Sequence, residues 1–168
     1  LELSEKNVNY FKEELKKNKM LLLEDKTSGE INDVLIQLQK DLQLKDVPTY
    51  IECFDNSNFQ GSYPVSAMVC FKNGQPSKED YRRFNVKTVE GINDFATMSE
   101  VVYRRYKRVS EEQKPFPQLV IIDGGKGQLS AARESIKKLK LEGKTTLDGL
   151  AKNEKESVLR WKTGGEGK

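Results

Sequence analysis

The chain of 168 residues contains no histidine and only two cysteines. Without an imidazole it can run no Ser-His-Asp or Cys-His mechanism, and it can build neither a histidine-ligated zinc site nor a histidine general base. Cys53 and Cys70 stand singly inside apolar, strand-like runs. Buried free thiols are therefore expected, not a disulfide framework or a cysteine zinc site. No apolar run approaches the ~20 residues that span a bilayer, and no signal-peptide pattern opens the chain. A soluble, cytoplasmic protein is expected. Charge of one sign is also scarce: 29 Lys and Arg face 26 Asp and Glu, a net +3. That balance does not by itself announce nucleic acid. The chemistry left open rests on carboxylates, lysines, hydroxyls or an oxygen-ligated metal.

What is present changes character near position 50. Residues 1–50 carry a net −2, residues 51–110 +2 and residues 111–168 +3. The first part reads as two amphipathic helices, one with Val8, Phe11 and Leu15 at helical spacing and one with Ile31, Val34, Leu35, Leu38 and Leu42. From Thr49 the period becomes two. Strands are predicted over 50–54, 65–71 and 81–87, with Asn73-Gly74 as a turn signal, which makes an antiparallel meander. A helix over 93–109 follows, with Phe95, Met98, Val102 and Tyr106 on one side. Gln118 to Ile122 reads as a strand buried on both faces. A helix carrying Leu129, Ala132, Ile136 and Leu139 comes next, then a weaker strand over 145–151. The tail from Lys152 shows no period, and disorder is expected there. The order β-β-β-α-β-α-β predicts an α/β fold: a mixed sheet, part meander and part parallel, flanked by helices after a helical extension.

Two aspartates carry the chemical interest, because each follows a predicted strand. Asp55 comes after Ile51-Glu52-Cys53-Phe54, and Asp123 after Leu119-Val120-Ile121-Ile122. Reacting groups collect at the carboxyl ends of strands in sheets with a parallel part. If these two strands are neighbours, two like charges meet, and a divalent cation is the usual reason for such a pair to persist. Oxygen-only ligation favours Mg²⁺ or Mn²⁺. The competing reading is that each aspartate only caps a turn.

The loop Asp123-Gly124-Gly125-Lys126-Gly127-Gln128 could bring backbone N–H groups to an anion at a helix start, although P-loop spacing is missing. It could equally be a tight strand-to-helix connection. Arg82, Arg83, Arg104, Arg105, Lys107 and Arg108 lie among Tyr81, Phe84, Tyr103 and Tyr106, a mixture suited to phosphate and base contacts or to a solvated surface. Asp94 stands at a helix start, where a carboxylate also complements the helix dipole.

These residues carry a family resemblance. Ile51-Glu52-Cys53-Phe54-Asp55-Asn56-Ser57-Asn58-Phe59-Gln60-Gly61 resembles the opening of the C-terminal nuclease domain of UvrC, the excinuclease subunit of bacterial nucleotide excision repair. Tyr81-Arg82-Arg83-Phe84-Asn85-Val86-Lys87, Asp94-Phe95-Ala96-Thr97-Met98, Arg104-Arg105-Tyr106, Ile121-Ile122-Asp123-Gly124-Gly125-Lys126-Gly127-Gln128-Leu129 and Gly149-Leu150-Ala151-Lys152 resemble the same family in the same order. The resemblance covers residues 1–156. It implies an RNase H-like fold and a metal-dependent endonuclease that incises DNA on the 5′ side of a lesion. Asp55, Asp123 and Asp94 would be catalytic, with Asp55 and Asp123 holding Mg²⁺ or Mn²⁺. Lys126, Arg82, Arg83, Arg104 and Arg105 would contact damaged double-stranded DNA, and UvrB, with UvrA upstream, would be the protein partner of a monomer.

The pattern departs from that family at two places. Asn58 stands where many relatives have a histidine. The third catalytic residue of the family, a histidine beyond the Gly-Leu-Ala-Lys segment, has no counterpart in a chain without histidine. The expectation is a helical extension or linker over 1–48, an incomplete RNase H-like domain over 49–156 and a divergent, disordered tail over 157–168. Such a fragment should incise weakly or not at all alone. A noncatalytic DNA- or protein-binding fragment is the alternative, and a nucleotide-binding domain built on the glycine-rich loop is disfavoured by the meander.

Overall fold

A computed structural model describes residues 28–57, 64–86, 89, 93–152 and 158–162. The first helix and Asn58 lie outside the described residues. The described part begins with α1 (Ser28–Leu42) and continues through strands β1 (Tyr50–Ser57), β2 (Val65–Lys72), β3 (Gln75–Pro76) and β4 (Arg82–Asn85). It then runs through α2 (Asp94–Glu111), β5 (Leu119–Asp123), α3 (Lys126–Lys138), β6 (Thr146–Lys152) and β7 (Val158–Lys162).

The strands form one mixed sheet in the order β3-β2-β1-β5-β6-β7, with β4 also paired to β2. β1 is antiparallel to β2 and parallel to β5, and β5 is parallel to β6. The predicted meander and parallel half therefore join at β1. Asn73 and Gly74 both take positive φ, 51° and 77°, the twist that closes a two-residue hairpin between β2 and β3. A 3-10 turn at Lys78–Asp80 then separates β3, a short strand that was not predicted, from β4, which lies within the predicted third strand, so that β3 and β4 lie on successive parts of the same β2 edge.

One expectation fails here. The tail after Lys152 was expected to be disordered, yet Val158–Lys162 forms β7, antiparallel to β6 from Asp148↔Lys162 to Lys152↔Val158. The segment has little period of its own, and pairing to an open edge supplies the order that local pattern does not.

The sheet is covered on both faces. Phe54, Met68, Val120 and Ile122 point to one side, where Met98, Val101, Val102 and Tyr106 of α2 meet Leu129, Ala132 and Ile136 of α3. Ile51, Cys53, Val69, Phe71, Leu119 and Ile121 point to the other, against Leu44 and the partly buried Leu38 and Leu42. Each fully buried side chain of this size contributes roughly 1.5–3 kcal/mol, so both layers are needed.

The three described helices end alike. Gln43, Gln113 and Lys140 adopt φ of 53°, 53° and 58°. The next residue bonds back five positions each time: Leu44 to Gln39, Lys114 to Val109 and Leu141 to Ile136. This left-handed cap is usually made by glycine.

Between sheet and helix lies a buried ionic group. Glu52, fully buried, accepts from Arg105 Nη2 at 2.6 Å and Tyr50 Oη at 2.7 Å on Oε2, and from Tyr106 Oη at 2.8 Å on Oε1. Burial, then the Glu52 charge, raises the phenol pKa of Tyr106. For Arg105 burial alone would lower the pKa, but the hydrogen bond and charge of Glu52 outweigh it and raise it. The group fixes α2 against β1.

Candidate active site

The parallel ladder between β1 and β5 decides the site. Its register runs Ile51↔Leu119, Cys53↔Ile121 and Asp55↔Asp123. Cross-strand partners project to the same face, so the two acids continue the row of Ile51, Cys53, Leu119 and Ile121. The thiol pKa of Cys53 is raised by burial first, then by Cys70 and the charge of Asp123, in keeping with that shared face.

The acids differ from expectation in one respect. Each aspartate was predicted to end its strand; Asp123 does end β5, whereas β1 runs two residues past Asp55. β1 continues to Ser57 because β2 pairs with it as far as Ser57↔Val65. Tertiary pairing overrides the low strand preference of aspartate. One carboxylate oxygen of Asp55, Oδ2, is shielded from solvent.

Asp94 arrives from a different element. Asn93 is the N-cap of α2, its side chain accepting from Ala96 N at 3.0 Å, and Asp94 is the first helical residue. The Nδ2 of Asn56 donates to the Asp94 carbonyl at 3.1 Å, which ties the helix start to the residue after Asp55. Asn56 alternates with Asp55 along β1, so this tether lies on the opposite face from the paired acids.

A further acid was not singled out from the sequence. Asp148, 4% exposed, is the cross-strand partner of Ile121 and so sits one ladder step behind Asp123 on the same face. Its Oδ1 accepts from Gly149 N at 3.0 Å. The signal was an acid inside the apolar run Leu147 to Leu150. Among the described residues no group of three or more His, Cys, Asp or Glu is arranged to hold a metal ion.

The glycine-rich loop has packing reasons for two of its glycines. A Cβ on Gly124 would stand 2.3 Å from Gln128 Oε1, and one on Gly127 would stand 2.6 Å from Phe95 Cε1. Gly125 is the N-cap of α3, and Lys126, the first helical residue, is exposed.

The predicted DNA contacts divide. Arg82 and Arg83 are exposed on β4. Arg104 lies over the Phe84 ring, 5.9 Å from its centroid, and donates to the Asn85 carbonyl at 2.9 Å. Arg105, by contrast, is committed to Glu52, with 14% of its side chain exposed. Arg82, Arg104, Arg105, Arg108 and Lys114 line a pocket of about 150 Å³ with Phe84 and Glu112. Hydrogen bonds from Lys114 and Arg108 lower the Glu112 pKa to about 2. Arg108 belonged to the basic cluster read on this helix, whereas Lys114 was not singled out from the sequence, because only the fold brings it to Arg82.

The mixed sheet, its helices on both faces and its acids on neighbouring parallel strands define an α/β domain of the RNase H class. The family described as the UvrC RNAse H endonuclease domain matches residues 39–166, and the chain belongs to it. The match runs past residue 156 to include β7. UvrABC system protein C of Flavobacterium johnsoniae is 54% identical over 156 residues, covering 93% of this chain and 26% of that protein. The same-named protein of Cytophaga hutchinsonii is 63% identical over 123 residues, covering 73% of this chain and 21% of that one. The chain thus spans about a quarter of the length of these curated relatives. Among solved structures, Ciona intestinalis Endonuclease V in complex with a DNA containing an inosine is 18% identical, with a TM-score of 0.44, covering 74% of this chain and 57% of that one. Human ENDOV is 12% identical, also with a TM-score of 0.44, covering 76% and 60%.

Proposed function

We propose that this chain is the acid-bearing core of a DNA-repair endonuclease that incises a phosphodiester on the 5′ side of a lesion. The observation that carries the reading is the register that pairs Asp55 with Asp123. Asp55 and Asp123 are the catalytic acids in this reading, with Asp94, at the start of α2, as the third.

The residues fit Mg²⁺ or Mn²⁺. Their donors are hard carboxylate oxygens, and Oδ2 of Asp55 is held away from solvent. One or two carboxylates, with water and substrate phosphate, are a usual set for such an ion. When bound, the ion would polarise the scissile phosphate and lower the pKa of the attacking water. The chain's own task is to hold that phosphate in place. Lys126 at the start of α3 and Arg82, Arg83 and Arg104 supply sequence-independent backbone contacts. Arg105 serves chiefly to neutralise Glu52.

This chain holds no imidazole to move a proton. Incision by these residues alone should therefore be slow. The family likeness supports UvrB as the protein partner, with UvrA acting earlier, and a monomeric domain. Two buried free thiols suit a reducing, cytoplasmic setting.

A second reading, a noncatalytic DNA-binding fragment, draws on the basic pocket and on the lack of a three-ligand acid group among the described residues. Mn²⁺ titration by calorimetry and nicking of damaged duplex separate the two. Saturable Mn²⁺ binding lost in Asp55→Ala and Asp123→Ala supports the endonuclease. DNA binding with no Mn²⁺ binding at all supports the fragment.

A further inference from the structure

Among the described residues Phe95 is the one large hydrophobic side chain left exposed, at 58%. Helical spacing groups it with Met98, Val102 and Tyr106, all fully buried. Phe95 lies one turn earlier, where α2 has run beyond the edge of the core. Its ring is nevertheless seated: Cε1 and Cζ stand 2.6 and 2.7 Å from where a Cβ on Gly127 would be. Only a glycine lets the ring lie so close to the first turn of α3.

The seat has a definite address. The residue before Phe95 is tied to Asn56, next to Asp55, by a 3.1 Å hydrogen bond. Gly127 follows Asp123 by four positions, and exposed Lys126 lies between them. An aromatic ring fixed along one edge and open to solvent therefore stands at the end of the sheet that carries the acids, on the face covered by α2 and α3.

We propose that Phe95 is a stacking platform for one unpaired nucleobase of the DNA strand whose phosphate lies at Asp55 and Asp123. The proposal rests on the endonuclease reading and adds a substrate requirement to it. In continuous duplex each base is already covered on both sides by its neighbours, so the ring has no open face to stack on. A base freed by a gap, a bubble or a lesion offers one. Base–aromatic stacking is sequence-tolerant and worth roughly 5- to 100-fold in affinity. The site should thus prefer an opened duplex over a continuous one, with no preference for base identity.

The test uses the 168-residue chain in EDTA, so that no strand is cut, with 2-aminopurine placed at successive positions of a short single-stranded gap. Quenching is expected at one or two adjacent positions. Phe95→Leu keeps an apolar side chain but removes the ring. It should abolish that quenching and weaken gapped-duplex binding roughly 5- to 100-fold, while fully paired duplex of equal length binds within about twofold. Phe95→Tyr should restore both, which excludes a folding defect as the cause. Equal quenching by Phe95→Leu and the parent chain, or no quenched position in the parent, overturns the proposal. Failure of the underlying reading looks different: Mn²⁺ binding unchanged by Asp123→Asn would remove the endonuclease while the stacking result stood by itself.

Discussion

Asp55 and Asp123 are direct partners in the parallel ladder between β1 and β5, with backbones about 4.8 Å apart. Two carboxylates that close repel by about 3 kcal/mol at an effective dielectric near 20 and a separation of ~5 Å. Both are partly open to water, so about 1 kcal/mol is a fairer expectation after screening. Asp123→Asn in EDTA should therefore raise Tm by about 2–4 °C. The same substitution should abolish the further rise that Mn²⁺ gives the parent chain. Thermal melts with and without Mn²⁺ read both effects, and an Asp123→Asn chain still stabilised by Mn²⁺ would sink the acid pair as a metal site.

Glu52 and Arg105 form the buried pair that fixes α2 to β1, with the carboxylate fully buried. Removing one partner leaves a charge uncompensated, at a cost of about 3–5 kcal/mol. Arg105→Met should lower stability by that amount in urea unfolding. The double variant Glu52→Leu, Arg105→Met should recover a large part of the loss. Independent, additive losses in the cycle would show that the pair is not coupled.

Gln43, Gln113 and Lys140 each end a helix in the left-handed region. A side chain there costs roughly 1–2 kcal/mol, partly offset by the chain entropy that glycine adds on unfolding. Gln113→Gly and Lys140→Gly should each stabilise by roughly 0.5–1 kcal/mol, measured as a higher urea midpoint at unchanged slope. Destabilisation by both would show that these side chains hold the caps through other contacts.

The two thiols should be silent in the native state. Burial, then the Glu52 charge, pushes Cys70 up to about 12, and burial raises Cys53 as well. At pH 8 the thiolate of Cys70 is roughly a thousandfold scarcer than in an unfolded chain with pKa ~8.5. A disulfide-exchange reagent should label neither cysteine at pH 8 until guanidinium unfolds the chain. The sign with pH follows: above about pH 8.5 the unfolded chain ionises while the native chain does not. Stability should fall there, and fall less in Cys70→Ala.

Glu112 sits in the mouth of the basic pocket and, with a pKa lowered to about 2, stays charged at working pH. Depression of a carboxyl means that its ion pairs act above the unfolded pKa and are lost only as pH drops toward 2. Glu112→Gln should tighten duplex binding a few-fold at low salt. Arg104→Ala should weaken it and reduce the salt slope by about 1. Fluorescence anisotropy across a salt series tests both, and no change in either variant would exclude this pocket from the DNA interface.

Much of this was legible along the chain because period and turn chemistry are local. Alternation marked β1 and β2, a continuous apolar run marked β5, Asn73-Gly74 marked the hairpin, and helical spacing marked the buried stripe of α2. Asp55 and Asp123 stood out because an acid closing an apolar run is itself a local signal. Asp148 and β7 did not stand out, since one is an acid within a weak strand and the other has order only through its partner.

Composition, period and motif therefore settled the family, most of the element order and the pair of aspartates worth watching, all properties carried by neighbouring residues. Only the folded chain decided that those aspartates share a ladder rung, that Arg105 answers Glu52, and that Phe95 leaves the core to lie on Gly127. Each of those depends on strand register and helix placement, which long-range packing sets and local sequence does not encode.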